Sequence, residues 1–135
     1  MMRVAACVMV LGFAPMARAA PECAKLAAFD HTDWSVFDLP APQDCVTSLT
    51  LGAGQTVSCH WSYPFRSDAA RRDFDHVKSV LSGCLSASAP HSGVNHPDSY
   101  DLVEFVGQSQ TFAVSLKDKG ALQRTLIFLR FGPSK

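Results

Sequence analysis

The stretch TVSCHWSYPF, Thr56 to Phe65, sorts its residues by parity. Val57, Cys59, Trp61, Tyr63 and Phe65 fall on odd positions; Thr56, Ser58, His60 and Ser62 fall on even ones. Period-two alternation is the pattern of a strand with one buried face, because successive side chains point to opposite sides of the sheet. The same geometry answers a chemical question. Cys59-His60-Trp61 places a thiol beside an imidazole, but a nucleophilic cysteine needs a base within reach of its sulfur. Neighbours on a strand point apart, so His60 cannot activate Cys59. The pair reads as a structural cysteine next to a histidine on the other face.

The elements on either side extend this strand into a fold. VTSLTL, Val46 to Leu51, is a strand, joined to the first by a hairpin turn at Gly52-Ala53-Gly54. Pro64 removes a backbone donor and closes the opening strand. Ser67 then supplies an N-cap, with Asp68 near the positive end of a helix. Ala70, Phe74, Val77, Leu81 and Cys84 recur at spacings of four, three, four and three, which is one helical face, while Arg71, Arg72, Asp75 and Ser79 take the other. Arg66, Arg71 and Arg72 form a small basic cluster that reads as a solvated face. Strands resume with YDLVEFV (Tyr100 to Val106) and TFAVSLK (Thr111 to Lys117). A turn at Asp118-Lys119-Gly120 leads into TLIFLRF (Thr125 to Phe131), whose two apolar parities suit a strand well inside the sheet. The order β-β-α-β-β-β defines an α+β two-layer sandwich: an antiparallel sheet of about five strands with one main helix on one face, stapled by two disulfides.

The N-terminal segment reads as a leader. Arg3 precedes an apolar run, Val4 to Phe13, that is too short to span a bilayer, and Ala17 and Ala19 form an A-x-A cleavage signal. The expected organisation is a signal peptide over 1–19, an irregular N-terminal arm over 20–44 and an α+β domain over 45–135. The arm is acidic, carries Pro40 and Pro42, and is expected to anchor through Trp34, Val36 and Phe37. Cleavage removes Cys7 and leaves Cys23, Cys45, Cys59 and Cys84, an even number that implies two disulfides and export to the periplasm or cell exterior. With Cys59 facing the helix and Cys84 on the helix face toward the sheet, the expected pairing is Cys59–Cys84 with Cys23–Cys45. Cys45–Cys59 is the rival, and a turn centred on residue 53 would instead set Cys45 opposite Trp61.

Composition excludes some partners. Arg3 and Arg18 lie in the leader, so ten basic residues face twelve acidic ones and the mature formal charge is −2. Nothing there recruits nucleic acid or anionic lipid, and no later segment is apolar enough to insert in a membrane. No G-x-S-x-G elbow, phosphate loop or cofactor motif occurs. The long polar loop before Tyr100 gathers His91, His96 and Asp98, but two histidines at that spacing are not a metal-ligand set. No metal, cofactor or catalytic group is expected.

These features lead to an expectation of a small exported binding protein that acts by occluding a protein partner. The architecture is similar in general terms to bacterial periplasmic inhibitors and immunity proteins. The expected contact residues are His60, His91, His96, Asp98 and Tyr100, with the polar sheet face of Ser58, His60, Ser62, Thr111, Ala113 and Ser115 as a second lead. Two alternatives are a structural or accessory envelope protein, and a small enzyme or metal-binding protein centred on His91, His96 and Asp98.

Overall fold

The computed structural model describes residues 21–52, 54–88 and 100–134. The expected leader over 1–19 therefore lies outside the described residues, as do His91, His96 and Asp98.

Six antiparallel strands form one sheet: β1 (Asp44–Thr50), β2 (Gly54–Pro64), β3 (Ser86–Ala87), β4 (Tyr100–Val106), β5 (Gln110–Lys119) and β6 (Arg124–Pro133). Their spatial order is β1-β2-β6-β5-β4-β3. A short helix α1 (Pro21–Ala27) precedes the sheet, and the main helix α2 (Asp68–Ser82) connects β2 to the far edge. The chain then returns strand by strand, so the last strand, β6, closes the gap beside β2. That central place explains why TLIFLRF is apolar on both parities. The two-residue strand β3 raises the expected five strands to six; two residues are too few to carry a periodic signal. The β5–β6 turn is also displaced from its expected place: Asp118 and Lys119 belong to β5, and a 3-10 turn over Gly120–Leu122 reverses the chain.

Helix α2 follows from its sequence. Ser67 accepts a hydrogen bond from the Ala70 N–H at 3.2 Å, satisfying one of the free amides of the first turn. Ala70, Phe74, Val77 and Leu81 are all buried, and they pack on Phe112, Val114, Ile127 and Leu129 of the sheet. The helix ends at Gly83, one residue before Cys84.

The arm is part of the core. Leu26 and Phe37 are fully buried, and Phe29, Trp34 and Val36 nearly so. Phe29 meets Trp34, Phe37 and Phe131 edge-on at ring-centroid distances of 5.2, 5.5 and 4.8 Å. The two indole N–H groups are satisfied locally, Trp34 by the His31 carbonyl at 3.0 Å and Trp61 by the Pro40 carbonyl at 2.8 Å. His76 on α2 bonds the Phe37 carbonyl at 2.8 Å and ties the arm to the helix.

The disulfides are Cys23–Cys84 and Cys45–Cys59, which corrects the expected pairing. Two local facts decide it. The β1–β2 hairpin pairs Thr50 with Gly54, with Gly52 and Gly54 both at positive φ, so its register is centred on residue 52. Cys45 then stands directly opposite Cys59, with their Cα atoms 4.0 Å apart. At the other end, α2 stops before Cys84 can join its apolar face, and the chain turns that thiol toward α1. Two disulfides are the chemistry of an oxidising compartment. Among the described residues no helix is long and apolar enough to cross a membrane.

Candidate functional site

Both the arm and α2 lie on one side of the sheet, and no described element packs on the other. Strand pleating puts the even residues of β2, β4 and β6 and the odd residues of β5 on that open face. Register then sets them in rows. Ser62, Leu126, Lys117 and Tyr100 form one; His60, Phe128, Ser115 and Leu102 the next; Ser58, Arg130, Ala113 and Glu104 the third.

Small residues on β5 make the face concave. Ser115 is 8% exposed and Ala113 6%, shaded by the larger side chains of β6 and β4. The depression they floor has a volume of about 260 Å³ and is walled by Tyr100, Leu102, Lys117, Phe128 and Arg130. The walls are braced against one another. Arg130 reaches across Ala113 to the Glu104 carboxylate at 3.3 Å. The Lys117 ammonium stands 5.6 Å from the centre of the Tyr100 ring, within cation–π range. The His60 and Phe128 rings lie 5.7 Å apart. Arg124 donates from Nε to Ser62 Oγ at 2.9 Å. A second hollow of about 490 Å³ continues past Ala113 toward Thr111 and Gly132. Gly132 sits close to β2 there: a Cβ would meet Thr56 Cγ2 at 3.0 Å and the Gln55 carbonyl at 3.1 Å, so a side chain would need those neighbours to shift.

Of the sequence-derived site residues, His60 and Tyr100 share this face. They are three strands apart, about 14 Å at ordinary strand spacing, and do not meet. Ser58, Ser62, Thr111, Ala113 and Ser115 also lie where parity put them. The character of the face differs from the polar, lightly apolar surface expected. Leu126, Phe128 and Leu102 make it substantially apolar, and Lys117, Arg124 and Arg130 charge it. The signal for this lies in the second parity of TLIFLRF: Leu126 and Phe128 both mark a central strand and line its outer surface.

Other clusters are structural. Cys59 is fully buried in its bridge to Cys45, and Trp61 lies in the core, so the Cys-His neighbours perform no joint chemistry. The basic cluster at the start of α2 resolves into ion pairs, Arg66–Asp118 at 3.0 Å and Arg71–Asp101 at 3.7 Å. A cavity of about 480 Å³ beside it has its polar groups already engaged: Thr125 accepts the Arg66 backbone N–H at 2.7 Å and donates to Asp118 at 2.6 Å. Among the described residues, no three His, Cys, Asp or Glu side chains converge to hold a metal ion, and no buried side-chain nitrogen or oxygen lacks a partner.

No protein-family model, curated protein or solved structure matches this chain.

Proposed function

We propose that this is an exported, non-catalytic binding protein, periplasmic or secreted, that acts by occluding a protein partner in the manner of an inhibitor or immunity protein, and that the open sheet face is its contact surface. The observation that carries the reading is that face: a concave surface, uncovered by any described element, with Phe128, Tyr100, Leu102 and Leu126 set among braced charges. Aromatic and arginine side chains around a hollow are the usual makings of an interface hot spot. The scaffold beneath is stiff, with strands paired on both sides and a disulfide across β1 and β2, so little ordering entropy is lost on docking.

Four strands by four or five rows give on the order of 500 Å², against about 800 Å² per partner in a standard interface. The partner therefore overlaps a rim. Val46, 57% exposed on the same face of β1, extends the surface on that side. His91, His96 and Asp98, which precede Tyr100 in the sequence, are proposed as further contact residues.

Affinity capture from an envelope extract tests the reading. The wild-type protein should retain a partner that Phe128→Glu and Leu102→Glu lose by at least about tenfold, the cost of roughly 1.4 kcal/mol or more at a hot spot. Arg72→Ala and Lys78→Ala on the outer side of α2 should retain it. Loss on the helix with retention on the sheet would move the site to the helix.

A further inference from the structure

The charges on the open face are not balanced. Lys117, Lys119, Arg124 and Arg130 point there, while its carboxylates are Glu104 and, at the β1 edge, Asp44. Glu104 already holds Arg130. The excess collects in one corner, where β5 and β6 end. Lys119 and Arg124 are directly paired across the two strands, and Lys117 is two residues away on the same side. Like charges placed directly opposite each other destabilise a sheet. Neither Lys117, Lys119 nor Arg124 has a carboxylate within ion-pair distance among the described residues. The nearest acid on the strand, Asp118, points to the other face, where Arg66 and Thr125 occupy it. The opposite layer has the reverse bias: the arm carries Glu22, Asp30, Asp33 and Asp38 against Lys25. A chain of expected net charge −2 thus shows a positive corner on the one sheet face that no described element covers.

Resting on the proposal that this face binds a partner, we infer that the partner is an acidic protein surface, with carboxylates that seat on Lys117, Lys119 and Arg124 beside an apolar patch that fills the hollow over Ser115. Such a partner accounts for both the repulsion within the corner and its place next to Phe128 and Leu126. A carboxylate-rich surface relieves the repulsion, and complementary charge speeds encounter and selects among partners. A protein fits better than a phosphate polymer or an anionic membrane. The cations form a corner and not a stripe, and Glu104 and Asp44 lie on the same face, where they would repel a continuous line of phosphates.

The test uses the mature protein and defined probes, read by fluorescence anisotropy and by amide chemical shifts. A labelled twelve-residue glutamate-rich peptide with a central leucine should bind and shift amides of 115–126. The affinity should fall by at least about tenfold in Lys117→Glu/Lys119→Glu/Arg124→Glu, and comparably when salt is raised well past the point at which surface charges are screened. The neutral triple variant with Gln at each site should fall in between, and circular dichroism should show all variants folded. Failure of the peptide to bind, unchanged affinity in the charge-reversed variant, or tighter binding of oligothymidylate or phosphatidylglycerol vesicles would each overturn the inference. Envelope capture separates this outcome from the broader one. A partner lost by Phe128→Glu but kept by the triple reversal leaves the binding reading standing and removes the acidic partner.

Discussion

Tyr63 sits where β2 meets α2, half-buried, its hydroxyl donating to Asp73 Oδ2 at 2.9 Å. Burial first, and then the Asp73 hydrogen bond and charge, hold its pKa far above the ordinary value of 10.0. The neutral phenol is the form the fold favours. Its contribution to stability is therefore complete below pH 10 and is lost as pH climbs from there toward the raised folded-state pKa. In a Tyr100→Phe background only this tyrosine reports, since the chain has two. Ultraviolet difference titration should then show phenolate forming together with loss of the folded circular dichroism signal, and Tyr63→Phe should flatten the alkaline limb of stability. Ionisation near pH 10 with the fold intact would mean that the phenol is not held as described. Parity in the sequence put Tyr63 on the buried side. Its partner Asp73 was not legible, because it lies on another element and on the flank of the helix, between the apolar stripe and the charged face.

Helix α2 illustrates what an element takes from its own sequence. The cap, the stripe and the polar face are all local, and each has its own energy. Ser67→Ala should cost about 1 kcal/mol by freeing a first-turn amide. Phe74→Ala, at a fully buried position, should cost about 3–5 kcal/mol through lost burial and the cavity left behind. Arg72→Ala on the exposed side should stay within about 0.5 kcal/mol. Urea unfolding of the three variants orders them, and a Phe74→Ala cost no larger than the cap's would mean that the stripe does not face the sheet. The strands were legible in the same way, except β3, and so was the side of the sheet that the residues of β2 and β5 face. The hairpin register was not. A shift of two residues separates the expected pairing of Cys45 with Trp61 from the observed pairing with Cys59, and a two-residue shift preserves every parity. The faces therefore came out right while the contacts came out wrong.

At the scale of the molecule the two disulfides act on different lengths of chain. Cys45–Cys59 closes a separation of 14 residues within one hairpin, and Cys23–Cys84 closes 61 and holds α1 against the end of α2. Chain-entropy arithmetic gives about 3 kcal/mol for the first and about 4 kcal/mol for the second. Peptide mapping without reductant should recover these two linked pairs and no free thiol in the mature chain. Cys23→Ser/Cys84→Ser should lower the urea midpoint more than Cys45→Ser/Cys59→Ser and should expose the arm to protease first. A larger loss from the hairpin bridge would show that packing around the fully buried Cys59, and not loop closure, sets the order.

The sequence by itself determined what depends on near neighbours. Side-chain periodicity marked the main helix and five of the six strands, alternation assigned the buried faces of β2 and β5, and the even number of cysteines beyond the expected leader implied two bridges. His60 could be placed on the outer face for the same reason, whereas Tyr100 is marked only by its position where the polar loop re-enters the sheet. Only the tertiary structure decided which cysteine meets which, because that depends on where one turn is centred and where one helix stops. It also decided strand order, with β6 slotted between β2 and β5. That placement set Phe128 and Arg130 beside Ala113 and Ser115, and brought Lys119 opposite Arg124. A pattern along the chain records which way a residue points; who stands next to it is fixed by pairing between segments distant in sequence.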